Sequence, residues 1–104
     1  MRNIFWTAYS IDDRPAAIYK IRDLVDSYGD VVDINLYSDI SVNFTIEIQE
    51  WKIDTLYKEL KGIVSIEEFR YLNSTSQKER TVYLNTTFLK STGNLSIEIP
   101  AVPG

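Results

Sequence analysis

The clearest pattern in the chain is an alternation of apolar and polar residues between positions 40 and 49. Ile40, Val42, Phe44, Ile46 and Ile48 are separated by single polar residues. Successive side chains of a strand point to opposite faces, so this segment predicts a strand with one buried and one polar face. Such a strand is typical of an antiparallel sheet that is covered on one side only.

Two segments have the spacing of amphipathic helices instead. The first follows Asp12-Asp13-Arg14-Pro15, a typical helix start, because a carboxylate can cap free N–H groups and proline is tolerated in the first turn. It ends near Gly29, and the second runs from residue 50 to residue 61. The predicted buried positions are Ala17, Ile18, Ile21, Leu24, Val25 and Tyr28 in the first helix and Ile53, Leu56, Tyr57 and Leu60 in the second.

Further strands are predicted over residues 3–10, 31–37, 64–72, 81–89 and 94–99. The order β-α-β-β-α-β through residue 72 predicts an α+β, ferredoxin-like sandwich, with both helices on one face and the first and third strands central. The last two strands predict an appended C-terminal β-hairpin over 81–99, whose place in the sheet stays open, followed by an extended tail over 100–104. We therefore expect one domain over residues 1–104 with a core over 3–72.

Composition argues against several kinds of chemistry. The 104 residues include fifteen acidic and eleven scattered basic ones, a net charge of −4, which argues against nucleic acid. There is no cysteine and no histidine, which removes thiolate chemistry and the commonest general base and metal ligand. No apolar stretch is long enough for a signal peptide or a membrane span. We expect a cytoplasmic protein without membrane, cofactor, metal or catalytic residues.

A candidate ligand site lies at the first strand-to-helix junction. Asp12 and Asp13 could orient a ligand amine there, although capping of the helix explains them more simply. The segment Asp13-Arg14-Pro15-Ala16-Ala17-Ile18 resembles the corresponding turn of ACT domains, which share the predicted element order over residues 3–72. The resemblance implies a dimer or regulatory module, with a small molecule bound around Asp12, Asp13, Arg14 and Ala16.

A candidate interface lies on the polar face of the predicted sheet. Tyr9, Asn35, Tyr37, Asn43 and Tyr83 would share that face. Aromatic rings among amides are typical of protein interfaces, but the C-terminal hairpin could equally cover them. The leading hypothesis is a non-enzymatic protein-interaction or oligomerisation module that uses this face or the edge of the second strand, as a homodimer or with another protein. The alternatives are a small-molecule sensor and a small dimeric ferredoxin-like enzyme with an aromatic cavity between sheet and helices.

Overall fold

The computed structural model describes residues 3–89, and this part of the chain forms five strands and two α-helices. A five-stranded sheet with two helices confirms the predicted α+β class. A short 3-10 turn, Glu50–Lys52, leads into the second helix. The elements are β1 (Ile4–Ser10), α1 (Arg14–Asp26), β2 (Gly29–Ser38), β3 (Ser41–Gln49), α2 (Ile53–Leu60), β4 (Ser65–Ile66) and β5 (Glu79–Phe88).

The strand order differs from the predicted one. The sheet runs β2-β3-β5-β1-β4, and β5 is parallel to β1 and antiparallel to β3. β5 therefore separates the two strands that the ferredoxin-like order places side by side, so that order and the ACT-like identity are not confirmed. The central position of β5 in the sheet agrees with its apolar side chains, because Val82, Leu84 and Phe88 are fully buried. The predicted strand 94–99 and the tail 100–104 lie outside the described residues, so the hairpin stays a prediction.

Both helices pack on one side of the sheet and form the core with it. α1 buries Ala17, Ile21 and Val25, whereas the other three positions predicted to be buried are only partly buried against the core: Ile18, Leu24 and Tyr28. The burial on α2 agrees with the prediction. The fully buried large side chains of the core are Phe44, Phe88, Ile21, Ile46, Ile48, Ile53, Leu56, Leu60, Leu84, Val25, Val42 and Val82.

Gly29 allows β2 to start close against β3. A Cβ atom at this position would lie 2.4 Å from the carbonyl oxygen of Glu47 and 2.9 Å from Cβ of Ile48. The sequence predicts Gly29 as a helix cap, but its structural requirement is this close approach of two strands.

Residues 67–78 follow β4 without strand structure, and side chains of α2 hold the first part of this segment. The strand predicted over 64–72 is therefore confined to Ser65–Ile66. The Tyr57 hydroxyl donates to the carbonyl oxygen of Glu67 at 2.7 Å. The Asp54 carboxylate accepts hydrogen bonds from the backbone N–H groups of Leu72 at 2.9 Å and Asn73 at 2.8 Å. These hydrogen bonds satisfy backbone N–H and C=O groups that would otherwise pair with a neighbouring strand of the sheet.

The Glu50 side chain links residues 67–78 to the start of β5 through Ser74 and Arg80. Its carboxylate accepts a hydrogen bond from Ser74 Oγ at 2.6 Å and pairs with Arg80 Nη1 at 2.6 Å. The hydrogen bond from Ser74, followed by that from Arg80, lowers the pKa of Glu50 below its ordinary value of 4.5. Because the folded pKa is the lower one, Glu50 contributes stability above its ordinary pKa, and this contribution is lost as pH falls through the folded value.

We expect Glu50→Gln to lower the free energy of unfolding at pH 7 and to weaken its decrease as pH falls below the ordinary carboxyl pKa of 4.5. Urea unfolding followed by tryptophan fluorescence at several pH values measures both effects. Glu68→Gln is the matched control, because Glu68 is an exposed carboxylate on the same segment. An unchanged pH profile in Glu50→Gln would contradict the assignment.

Candidate functional site: the open sheet face

One face of the sheet carries neither helix. We call it the open face and define it by alternate residues of the four neighbouring strands; on β1, β3 and β5 the other side chains point into the core. A concavity of about 630 Å³ lies on it. The open face consists of Phe5, Thr7 and Tyr9 on β1, Tyr83, Asn85 and Thr87 on β5, Ser41, Asn43 and Thr45 on β3, and Asp33, Asn35 and Tyr37 on β2.

Three asparagines lie side by side across this face. Asn35 pairs with Asn43 in the β2–β3 register, and Asn43 pairs with Asn85 in the β3–β5 register. We call these residues the asparagine row; Thr7 of β1 continues it. Asn43, at the centre, is only 8% exposed. Each carboxamide has donors and an acceptor, so the row can bind polar groups of either kind.

Two aromatic rings stand beside the asparagine row. Phe5 and Tyr83 are register partners and stack with their ring centroids 5.1 Å apart and an interplanar angle of 18°. We call this pair the aromatic ridge. Phe5 is 74% exposed, and Tyr37, which also lines the concavity, is 67% exposed. Rings exposed this far on a concave face are typical of a surface that binds another molecule.

The charge on the open face is acidic. Asp33 is the charged residue among those that line the concavity, and its carboxylate accepts a hydrogen bond from Asn35 Nδ2 at 2.7 Å. Glu47 follows on the same side of β3. The other described residues that line the concavity are uncharged, so the concavity is compatible with a partner surface that is largely neutral.

Four of the five predicted interface residues meet at this concavity. Asn35, Tyr37, Asn43 and Tyr83 line it, whereas Tyr9 lies on the open face outside its lining. Sequence reasoning missed Phe5 and Asn85. Each lies an even number of residues from a predicted residue of its own strand, Phe5 from Tyr9 and Asn85 from Tyr83. Alternation along the strand could therefore have assigned both to the polar face.

The predicted ligand-binding residues lie at the start of α1, away from the concavity. The Asp13 carboxylate accepts a hydrogen bond from the backbone N–H of Ala16 at 3.1 Å, which caps the helix. Asp12 pairs with Lys20 at 2.9 Å. Arg14 lies 3.7 Å from an Asp39 oxygen. The geometry here is that of a capped helix start, and ligand binding by these residues stays a prediction.

An aromatic cluster occupies the region that an active-site cavity between sheet and helices would need. The rings of Trp6, Tyr57 and Phe69 contact one another with centroid separations between 5.2 and 5.4 Å. Burial raises the pKa of the Tyr57 hydroxyl, which keeps it protonated. This packing gives the enzyme alternative no support.

A second concave region is lined by acidic residues between the start of β2 and the end of β3. Asp26, Asp30, Glu47 and Glu79 surround a space of about 380 Å³ together with Lys52. Within residues 3–89 no group of three or more acidic side chains is arranged to hold a metal ion. None of the helices in this part of the chain has the length and apolar character needed to cross a membrane.

Comparison with known proteins finds no matching family model, no matching curated protein and no matching solved structure. The open face is thus the strongest indication of function that the described residues contain. Its function is therefore inferred from the chemistry of its exposed rings, its central carboxamides and its acidic side chain.

Proposed function

We propose that this chain is a non-enzymatic protein-interaction module that associates with a second copy of itself through the open face. The observation that carries the proposal is the exposure of Phe5 and Tyr37 around a concavity whose centre is a row of carboxamides. Burying such rings is favourable, and carboxamides can hydrogen-bond to carboxamides. A face of this kind can therefore be complementary to itself.

The edges of the sheet are less suitable than its face. The pairing of β2 with β3 shifts register between Val31 and Asp33 and again between Leu36 and Ser38. Such irregularities twist an edge strand and interrupt the groups that an added strand would bind. The opposite edge, β4, has only two residues. These features favour the open face over edge pairing.

The open face has about the size that a weak dimer needs. With strands about 4.8 Å apart and residue rows about 7 Å apart, four strands and three rows span roughly 19 by 20 Å. Two such faces, each roughly 380 Å² in outline, would bury roughly 800–1,000 Å² in total once the relief of their side chains is included. This value lies in the range of weak, transient complexes, so we expect a reversible dimer.

Backbone amide resonances over a dilution series test which surface associates. Between high and low micromolar concentration, we expect the largest shifts in ¹⁵N–¹H spectra at Phe5, Tyr83 and Asn85. Tyr19, exposed on α1, is the reference for a surface outside the interface and should hardly shift. Shifts concentrated at Val32 on the β2 edge or at Tyr19, or no concentration dependence, would contradict the proposal.

A small neutral ligand is the second candidate for the same surface. The concavity of about 630 Å³ falls within the size range of small-molecule sites. A ligand titrated in at constant protein concentration would shift the same amides, whereas self-association shifts them on dilution without any ligand, so the two experiments separate the two functions.

A further inference from the structure

The open face carries a ridge beside a groove. The aromatic ridge, Phe5 and Tyr83, is one residue row away from Thr7 and Asn85, whose side chains are smaller. Rows on one face of a sheet are about 7 Å apart along the strands. Because the ridge and the groove lie side by side, the ridge of one molecule can fit into the groove of an identical molecule.

Two-fold symmetry decides how two such faces can meet. A dimer of identical chains uses the same patch on both, and a two-fold axis between two facing sheets lies parallel to them. We call the row of Phe5 and Tyr83 the ridge row and the row of Thr7 and Asn85 the groove row. If the axis runs perpendicular to the strands and between these two rows, each strand faces the same strand of the partner in the opposite direction. Ridge then lies opposite groove at two equivalent places.

We propose that two copies dock in this ridge-into-groove register, with Tyr83 opposite the partner's Asn85 and Phe5 opposite the partner's Thr7. The inference rests on the proposed function, and it specifies which residues choose the partner and set the register. Each ring then enters the partner's concavity and contacts the partner's carboxamides and hydroxyl groups.

The charges agree with this register. Asp33 belongs to the ridge row through the pairing of Asp33 with Thr45 and of Thr45 with Tyr83. It therefore lies opposite the partner's Asn35, whose amide N–H can donate to it. An axis along the strands, between β3 and β5, would instead place Asp33 against the partner's Phe5 and bury a carboxylate beside a ring, which is unfavourable.

Disulfide formation between two single-cysteine variants tests the register, because the natural chain contains no cysteine. Tyr83→Cys and Asn85→Cys, one of them labelled with ¹⁵N, are mixed at high micromolar concentration and mildly oxidised, and the products are separated by mass. We expect the mixed disulfide to exceed both homodisulfides several-fold, because identical positions are displaced laterally by about 7 Å in this register. Tyr19→Cys on α1 gives the background from random collisions.

The outcomes distinguish the register from the function. A predominant disulfide between two copies of Asn85→Cys would overturn the ridge-into-groove register and leave a face-to-face dimer standing. Yields no higher than those of Tyr19→Cys would mean that the two copies do not meet at this face, which overturns the inference and the proposed function together.

Discussion

Replacing Tyr57 with alanine is expected to lower the free energy of unfolding by about 4 kcal/mol. The side chain is buried against Trp6 and Phe69, and its hydroxyl donates to the backbone of Glu67. The substitution would remove a large ring from the core and also one of the groups that hold residues 67–78. Since small domains are stable by only about 5–15 kcal/mol, this loss would be a large fraction of the total free energy of unfolding.

Tyr57→Phe is the matched control for the hydrogen bond alone. It keeps the ring contacts and removes the donor, so it should cost about 1–2 kcal/mol. Urea unfolding measures both variants, and Trp6, which contacts Tyr57, contributes to the fluorescence signal. A loss below about 1 kcal/mol for Tyr57→Ala would show that α2 does not anchor this part of the core.

Replacing Phe5 with glutamate is expected to weaken self-association at least 100-fold, which corresponds to about 2.7 kcal/mol. Phe5 is 74% exposed, so the substitution should leave the fold of the single chain intact. In a face-to-face dimer the carboxylate would be buried without a cation, and it would occur twice.

Val32→Glu is the matched control at the β2 edge. Val32 is 49% exposed and lies at the first register shift of β2, so the same charge is introduced away from the open face. We expect less than about a threefold change in the dissociation constant measured by sedimentation. A large effect of Val32→Glu together with no effect of Phe5→Glu would place the interface at the sheet edge.

The elements that depend on local pattern could be predicted from the sequence. The alternation after Ile40 lies in β3, and the periodicity after Pro15 forms α1 with Asp13 as its cap. The strand predicted over residues 64–72 ends early for a non-local reason. Asp54 and Tyr57 of α2 bind its backbone, and no local pattern shows that competition.

The order of strands could not be predicted from the same pattern. Alternation along residues 81–89 shows which face of that strand is buried, but it contains no information about which strands lie beside it. The candidate site depends on the same missing information. Asn35 and Asn43 could be assigned to the polar face from their own strands, whereas the asparagine row exists only because Asn43 also pairs with Asn85 in β5.

The mass of the unmodified chain in solution tests self-association through the open face most directly. Sedimentation equilibrium at high micromolar concentration should give an average mass that rises towards twice the 12.0 kDa of one chain, and the mass should fall towards one chain on dilution. Phe5→Glu at the same concentration should give the mass of one chain. A single-chain mass for the unmodified protein at high micromolar concentration would contradict the proposed function.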